Sequence, residues 1–391
     1  MSTQDIAQAK EVARAELDRK LERILDFSHK LHQNPEPGWE EVKASAWISE
    51  ELRAVPGARV THGLGELPTA VRAELGHGPL VLTICAEYDA LPGVGHACGH
   101  NVIASAALGA FTALAPLVDQ LDATVRLLGT PAEENGGGKI VMLEQGDFDG
   151  THAAMMVHPG DVDNASMRPF ACTGVKVRYQ GRSAHASARP FEGINALDAM
   201  TIALTSIGLA RQQFREGQQI HGFVEGAGTA PNVIPESASG TWMARAHDVD
   251  SLNEVMAVLR RCFDAGAVAT GATLHFEEVG KAYLEMRDDD SMRDLFMANS
   301  AALGRELEPV GLRGGSTDMA NVSHYYPTIH PMLSLGKECP PIHNAAFADA
   351  AASAAGDKAV RDGALAMAMT CIDLALDPRQ RERLMTLGAK N

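Results

Sequence analysis

The segment LVLTICAEYDALPGVGHACGHNVIASAALGAFTALAPL, residues 80–117, decides the predicted fold. It begins with an apolar run typical of a buried strand and ends in an alanine-rich run typical of a helix. The loop between them carries His96, Cys98 and His100. Three interpretations of this loop are open from the residues alone: a metal site, a nucleophilic thiol, or a compact buried turn with satisfied histidines.

The pattern of strands and helices continues on both sides of this segment. We predict helices over 5–33 and 41–54 and strands in TAVRAEL (69–75), TVRLLGTPAEE (124–134) and THAAMMVHP (151–159). The last of these is predicted as one buried strand that ends at His158 and Pro159. Strands that alternate with helices indicate a mostly parallel sheet covered on both faces.

The period of the pattern changes near residue 172. From there to residue 284 the predicted order is β-α-β-β-α-β, which indicates a small ferredoxin-like α+β domain. After residue 285 the α/β pattern resumes, with GLRGGSTDMANVSH (311–324) as a glycine-rich loop. We therefore expect an α/β catalytic domain formed by residues 1–171 and 285–391, with residues 172–284 inserted as a second domain.

Composition limits the classes of function. The 391 residues carry a net charge of −16, which argues against nucleic-acid binding as the function. The N-terminus has no apolar core of a secretory signal, and the apolar stretch GALAMAMTCIDLALDP is too short and interrupted to span a bilayer. Six cysteines without paired spacing fit a reducing compartment. We expect a cytoplasmic protein without a membrane partner.

Residues able to bind a metal follow several of the predicted strands. They are Cys98 and His100 after the first strand, the pair Glu133 and Glu134 in GTPAEEN, His158 in MMVHPG, and the loop residue His343 in CPPIHNAAF. Each is weak evidence alone, but strand ends of an α/β sheet converge at one edge. Adjacent glutamates at a strand end are expected to point in opposite directions, so that one binds a metal while the other faces water.

The number of these candidates favours two ions. Cys98, His100, Glu134, His158 and His343 are too many ligands for one catalytic zinc, which usually takes three protein ligands. With one ligand bridging they suit a pair of ions, and Cys98 is the best-placed bridge. Zn²⁺ is the expected metal, with Mn²⁺ or Co²⁺ as alternatives. A free nucleophilic cysteine remains an alternative, with His96 as the one candidate partner. Without that role, His96 is expected either to be structural or to hydrogen-bond a metal ligand.

Several motifs in order resemble those of the M20 metallopeptidases and amidohydrolases, specifically subfamily D. They are AEYDALPGVGHACGHN, GTPAEENGGGK, MMVHPG, GRSAHASARPFEGINALDA, TAPNVIPESA, GGSTDMANVSHYYP and a late HN. That branch includes aminobenzoyl-glutamate hydrolases, amino-acid-conjugate hydrolases, aminoacylases and dipeptidases. The chain departs from many of its members at Asn101, where an aspartate is usual, and in EYDALP for DMDALP.

The resemblance implies roles for individual residues. The five candidate ligands would bind the metal pair and Glu133 would be the general base. The inserted domain would form a homodimer interface and supply His185 to the partner subunit's active site. Asn232 and Arg245 match positions associated with substrate binding.

Chemistry adds three further candidates. Asp89 is expected either to hold a ligand histidine as its hydrogen-bond partner or to act as a turn residue. Ser316 and Thr317 are expected either to hydrogen-bond a substrate carboxylate or to cap the loop.

The expected function is hydrolysis of an amide bond between an acyl or aroyl group and an amino acid. N-acyl amino acids and aminobenzoyl-glutamate-like conjugates are the leading small-molecule substrates. A dipeptidase for β-alanyl or basic dipeptides is the runner-up. A non-catalytic metal-binding subunit of a hetero-oligomer and a thiol-nucleophile hydrolase are the alternatives of other classes.

Overall fold

The computed structural model describes residues 3–311 and 314–388; Leu312 and Arg313 of the predicted glycine-rich loop lie outside the described residues. The chain folds as two compact units. The first contains residues 3–168, 286–311 and 317–388, and the second contains residues 169–285 and 314–316. The second unit is therefore an insertion in the sequence of the first. Its boundaries lie within three residues of the predicted ones, except that residues 314–316 also belong to it.

The secondary structure follows the predicted order. The helices are α1 (Thr3–His32), α2 (Val42–Arg53), α3 (His100–Leu114), α4 (Val118–Leu121), α5 (Gly138–Glu144), α6 (Ala196–Ala210), α7 (Val249–Thr270), α8 (Asp290–Ala302), α9 (Met319–Ser323), α10 (Ala345–Ala351), α11 (Ala354–Leu376) and α12 (Pro378–Gly388). The strands are β1 (Arg59–Leu64), β2 (Leu67–Leu75), β3 (Leu80–Glu87), β4 (Ala123–Thr130), β5 (Ala153–Met155), β6 (His158–Gly160), β7 (Ala171–Gln180), β8 (Gln219–Ala227), β9 (Ser237–Ala246), β10 (Thr273–Tyr283), β11 (Thr328–Ile329) and β12 (Met332–Ser334).

The main sheet of the first unit has the strand order β1-β2-β4-β3-β5-β11. Strands β4, β3, β5 and β11 run parallel to one another, whereas β2 pairs antiparallel with β4, and β1 pairs antiparallel with β2 at the edge. The predicted mostly parallel sheet is confirmed. Strand β1 was not predicted, because its residues are largely solvent-accessible and form no apolar run.

The prediction of one continuous strand over 151–159 is wrong. Strand β5 ends at Met155 and pairs within the main sheet, whereas β6 begins at His158 and pairs with β12 in a separate two-stranded sheet. His158 therefore begins a strand rather than ending one. The break falls inside an unbroken apolar run, so the sequence carries no turn signal at this point.

Helices α1, α3 and α11 pack on one another and form the centre of the first unit's core. Every residue of α3 is buried, so this helix is covered on all sides, and its alanines allow close packing. Among the described residues, one segment, His100–Leu121, is long and apolar enough by composition to cross a membrane. Of its apolar stretch 83% is buried within the protein, as expected for the central helix of a globular core.

The second unit is an antiparallel sheet of order β10-β7-β9-β8, with α6 and α7 packed together against it. The element order β7-α6-β8-β9-α7-β10 and this strand order are those of a ferredoxin-like fold, as predicted. Strand β9 alternates between buried and half-buried positions, which shows one face on the core. Strand β8 lies at the edge, and most of its residues are exposed.

Candidate metal centre

The loop from β3 to α3 brings Cys98 and His100 to one point. Gly99 between them has a φ of +78°, and a β-carbon there would lie 2.4 Å from Pro159 Cγ. Glycine is therefore required, because any side chain would be strained and would clash. His100 then begins α3, and the backbone N–H of His343 donates to the Ala97 carbonyl at 2.8 Å. This last bond ties a residue far along the chain to the same loop.

Cys98, His100 and His158 form the first group of donors. Their ligand atoms lie within 4.8 Å of one another, and Cys98 Sγ lies 3.4 Å from His158 Nε2. His158 Nδ1 lies 2.7 Å from the Pro159 carbonyl, to which it donates, so Nε2 is the nitrogen that faces the thiol. His100 Nδ1 lies 3.0 Å from Asp89 Oδ1, while its Nε2 is buried without a hydrogen-bond partner among the described residues.

Cys98, Glu134 and His343 form the second group, again with ligand atoms within 4.8 Å of one another. His343 Nε2 lies 3.7 Å from Glu134 Oε2, and Glu134 Oε1 lies 3.8 Å from His100 Nε2. Cys98 belongs to both groups, as expected of a bridging ligand. The side chain of His343 is 52% exposed whereas that of Glu134 is 8% exposed, so this end of the cluster is open to solvent.

Glu87, His100 and Glu133 form a third group, of which Glu87 is not among the predicted site residues. Glu133 Oε2 lies 3.9 Å and Glu87 Oε2 lies 3.5 Å from His100 Nε2. Glu133 therefore adjoins His100, a member of the first group. The prediction that Glu133 and Glu134 point in opposite directions is wrong: β4 ends at Thr130, both residues lie in a turn, and both carboxylates approach His100.

A buried ion cluster lies beside this third group. Lys139 Nζ pairs with Glu87 Oε1 and donates to Asp318 Oδ1 at 2.7 Å, and the Lys139 backbone N–H donates to the other oxygen of Asp318. All three side chains are almost fully buried. The Lys139 ammonium thus neutralises part of the negative charge beside Glu133. No sequence pattern singles out Glu87 or Lys139 as a functional residue. Glu87 lies inside the AEYDALP motif and Lys139 inside the GGGK motif.

The donor set fits a pair of divalent cations. Three buried atoms at its centre, His100 Nε2, Glu134 Oε1 and Glu87 Oε2, have no hydrogen-bond partner among the described residues. Buried polar atoms are normally satisfied, so such atoms around one point indicate a missing partner. Thiol, imidazole and carboxylate donors together match the ligands that zinc takes in proteins.

The electrostatics point in the same direction. Burial, followed by the repulsion of Glu134, raises the pKa of the Cys98 thiol well above its ordinary value. Burial also lowers the pKa of His158 to about 4, with a contribution from His100, so this imidazole is neutral and can bind a cation. Burial and the nearby carboxylates Glu87 and Glu134 raise the pKa of Glu133. The raised pKa values of Cys98 and Glu133 reflect burial among carboxylates, whereas the lowered pKa of His158 reflects burial and the positive charge of His100.

The remaining predicted residues of the first unit lie as follows. Asp89 contacts His100 through Oδ1 and accepts the backbone N–H of Glu134 through Oδ2, at 3.0 Å each. His96 is buried and stacks against His32, with ring centroids 6.4 Å apart. Thr317 is buried, and its hydroxyl accepts the Met319 backbone N–H at 3.2 Å, which is a loop-capping contact.

The other predicted residues belong to the second unit. His185 and Asn232 are exposed, and His185 Nδ1 lies 3.3 Å from the Ser187 hydroxyl. Arg245 donates to the Ser316 hydroxyl at 2.8 Å. Among the described residues, all the groups that could bind a metal consist of residues of the first unit.

Comparison with known proteins agrees with the motifs. Residues 83–364 match the sequence profile of Peptidase family M20/M25/M40. The mouse (Mus musculus) Xaa-Arg dipeptidase is 35% identical over 395 residues, covering 96% of this chain and 91% of that protein. One of the subunits of p-aminobenzoyl-glutamate hydrolase from Escherichia coli is 29% identical over 295 residues, covering 70% of this chain and 61% of that protein.

Solved structures share the fold. The aminobenzoyl-glutamate utilization protein from Klebsiella pneumoniae matches with a TM-score of 0.71 at 20% identity, covering 90% of this chain and 96% of that chain. The Bacillus subtilis YXEP protein, a dinuclear metal binding peptidase from the M20 family, matches with a TM-score of 0.70 at 21% identity, covering 90% and 98%. The chain belongs to peptidase family M20/M25/M40 and is an enzyme of the hydrolase class.

Proposed function

We propose that this protein is a metal-dependent hydrolase of an amide bond to an amino acid, with Glu133 as the general base. The observation that carries the proposal is that Cys98 is shared by two groups of donors, while Glu133 adjoins the histidine of one of them. Cys98, His100, Glu134, His158 and His343 would hold two divalent cations. Zn²⁺ suits the mixed sulfur, nitrogen and oxygen donors best, with Mn²⁺ or Co²⁺ as alternatives.

The chemistry follows from the positions of these groups. A bound cation pair would polarise the substrate carbonyl and lower the pKa of water. Glu133 would accept a proton from the attacking water and donate it to the leaving amine, as one carboxyl group can do in both steps. Asp89 would hold His100 in the tautomer whose Nε2 faces the cations.

The relatives favour a dipeptide with a basic C-terminal residue as the substrate class. The Xaa-Arg dipeptidase match spans nearly the whole of both chains, whereas the match to the aminobenzoyl-glutamate enzyme covers a smaller part of each. The net charge of −16 also suits a cationic substrate, because a negative protein field raises the encounter rate of cations. N-acyl amino acids and aminobenzoyl-glutamate-like conjugates are the second candidate class.

Two other classes are less well supported. A non-catalytic metal-binding subunit has no need of a carboxylate such as Glu133 beside its metal. A thiol-nucleophile hydrolase needs a thiolate and a base, but burial raises the pKa of Cys98 and lowers that of His158, whose Nε2 lies 3.4 Å from the sulfur. The thiol would then stay protonated and the imidazole would be a weak base.

A homodimer through the second unit is part of the proposal. Strand β8 is an exposed sheet edge that carries Phe223, 63% exposed, and edge strands of this kind pair with other chains. Helix α6 of the same unit exposes Leu197, Leu204 and Leu209. In such a dimer, His185 of the partner subunit would stabilise the developing oxyanion. Asn232, Arg245 and Ser316 would bind substrate, and a cytoplasmic location would keep the six free cysteines reduced.

A chelation and substrate-panel experiment tests the proposal. The protein is stripped with a chelator, reconstituted with Zn²⁺, Mn²⁺ or Co²⁺, and incubated with dipeptides ending in arginine, lysine or glutamate, with N-acetyl amino acids and with aminobenzoyl-glutamate. We expect release of the amino acid only after reconstitution, fastest from the dipeptides ending in arginine or lysine. Full activity in the stripped protein would disprove metal dependence, and a preference for aminobenzoyl-glutamate would select the second substrate class.

A further inference from the structure

The turn that carries Glu133 and Glu134 is held from outside by a buried carboxylate that the motifs do not include. Glu41, directly before α2, is fully buried, and its Oε1 accepts the backbone N–H of Ala132 at 2.7 Å. Its Oε2 accepts the hydroxyl of Thr69 on β2 at 3.1 Å. The contact with Ala132 joins residues 91 positions apart in sequence.

Ala132 has an unusual backbone conformation. Its φ is +54°, in the left-handed region that costs roughly 1–2 kcal/mol for a residue with a β-carbon. A residue stays in that region only when the surrounding structure holds it there. The hydrogen bond to Glu41 is a direct restraint on this residue, which immediately precedes Glu133. The conformation of Ala132 in turn sets the direction in which the next two side chains leave the backbone.

A second carboxylate holds the same turn two residues later. Asp89 accepts the backbone N–H of Glu134 at 3.0 Å, so Glu41 and Asp89 together restrain the backbone on both sides of Glu133. The segment that leads to Glu41 also packs on the turn, because a β-carbon at Gly38 would lie 3.0 Å from Ala132 Cα. The Glu36 carbonyl of that segment accepts the Ala90 N–H at 2.8 Å, which links it to the residue after Asp89.

We propose that Glu41 is a positioning residue for the hydrolysis: its carboxylate fixes the backbone at Ala132 and thereby directs Glu133 toward the reacting water. This inference rests on the proposed role of Glu133 as the base. Among the described residues, the side chain of Glu41 bonds to the Ala132 backbone and the Thr69 hydroxyl, neither of which is a metal-binding group. Asp89 continues to restrain Glu134, so the loss of Glu41 should affect the base more than the metal ligand.

The test compares Glu41→Ala and Glu41→Gln with a matched control, Glu36→Ala. The Glu36 carboxylate accepts the backbone N–H groups of Lys43 and Ala44, at 2.8 and 2.9 Å, so it caps the start of α2 without touching the turn. We expect Glu41→Ala to lower kcat by about tenfold to a hundredfold, as a small displacement of a reacting group does. KM and the metal content should be unchanged. Glu41→Gln should lose less, because its amide oxygen can still accept from Ala132.

The control separates positioning from stability. Glu36→Ala should lower Tm while leaving kcat within about twofold, since a lost helix cap costs about 1 kcal/mol and does not move the base. A kcat for Glu41→Ala within about twofold of the native value would overturn the proposal, given the sensitivity of catalysis to geometry. An equal loss of kcat in Glu36→Ala would also overturn it, because activity would then follow the stability of α2.

A second readout does not depend on catalysis. Hydrogen exchange of metal-free protein should be faster over residues 131–138 in Glu41→Ala than in either the native protein or Glu36→Ala; unchanged exchange there would overturn the proposal. If the native protein hydrolyses none of the amide substrates, the proposed function fails. The exchange comparison still decides whether Glu41 holds the turn.

Discussion

His100 Nδ1 and Asp89 Oδ1 lie 3.0 Å apart in a pair of almost fully buried side chains. Burial by itself lowers the pKa of His100, but the Asp89 carboxylate and the Cys98 thiol together raise it well above its ordinary value. A cation at His100 Nε2 would therefore compete with a proton for the same nitrogen. Binding of the metal would displace this proton, with Asp89 holding the ring in place.

We predict that Asp89→Asn weakens metal binding about 10- to 100-fold, the usual effect of removing such a partner. The affinity is measured by competition with a coloured chelator, and the metal content by mass spectrometry. Asp161→Asn is a suitable control, because Asp161 is exposed. Unchanged affinity in Asp89→Asn would mean that the carboxylate serves the turn alone, through its bond to the Glu134 N–H.

Glu133→Gln tests the assignment of the base. The substitution keeps the shape of the side chain but removes its ability to take a proton, so kcat should fall by about 10²- to 10⁴-fold. Both metal ions should remain bound, because Glu133 belongs to neither of the two groups that share Cys98. Glu134→Gln is the matched comparison and should lose metal as well as activity. Turnover of Glu133→Gln near the native rate would remove Glu133 from the mechanism.

The buried cluster of Glu87, Lys139 and Asp318 predicts a large effect on stability. Lys139→Met would leave two buried carboxylates without their cation, which should lower the free energy of unfolding by about 3–5 kcal/mol. Urea denaturation of the metal-free protein measures this loss. Adding Glu87→Gln to Lys139→Met should restore part of the stability, because one uncompensated charge is removed. A double variant no more stable than Lys139→Met would show that packing, not charge, causes the loss.

The candidate metal ligands could be predicted from the sequence, whereas the residues that support them could not. Cys98, His100, Glu134, His158 and His343 follow strand ends and loops in recognisable motifs, and the structure brings all five together. Glu87 and Lys139 are 52 residues apart, and such a contact leaves no periodic signal in a sequence. The same is true of Glu41 and Ala132, where only tertiary packing brings the carboxylate to the turn.

The errors of the sequence prediction have the same origin. The alternation rule for Glu133 and Glu134 applies to strands, but the chain leaves β4 at Thr130 and turns before it reaches them. The run around Met156 is apolar throughout because both short strands are buried, so the change of sheet is invisible in hydrophobicity. Periodicity reports which face is buried and does not report which strand is the partner.

The exposed edge of the second unit predicts the oligomeric state. If β8 forms the dimer interface, Phe223→Lys should convert the dimer into a monomer, because a charge would be placed among apolar contacts. Val279→Lys is the matched control, since Val279 is also exposed but lies on β10 at the opposite edge of the sheet. Light scattering coupled to gel filtration measures both. A dimer that persists in Phe223→Lys and dissociates in Val279→Lys would place the interface on β10.

Glu41 also predicts a specific dependence of stability on pH. Burial raises the pKa of Glu41 from 4.5 to about 7, and the repulsion of Asp89 adds to this effect. Because the folded pKa lies above the unfolded one, Glu41 supports the folded state most when protonated, and this support is lost as the pH rises from 4.5 through about 7.

The uncharged Glu41→Gln variant lacks this pH-dependent loss of stability. Relative to native protein, its free energy of unfolding should therefore rise by up to about 3 kcal/mol between pH 4.5 and pH 8. Urea denaturation of both metal-free proteins across that range measures this difference. Because all other groups are the same in the two proteins, their titration contributes equally to both and cancels. A difference that does not change with pH would show that the Glu41 carboxyl titrates alike in the folded and unfolded chains, and so is not held in the buried setting from which it restrains Ala132.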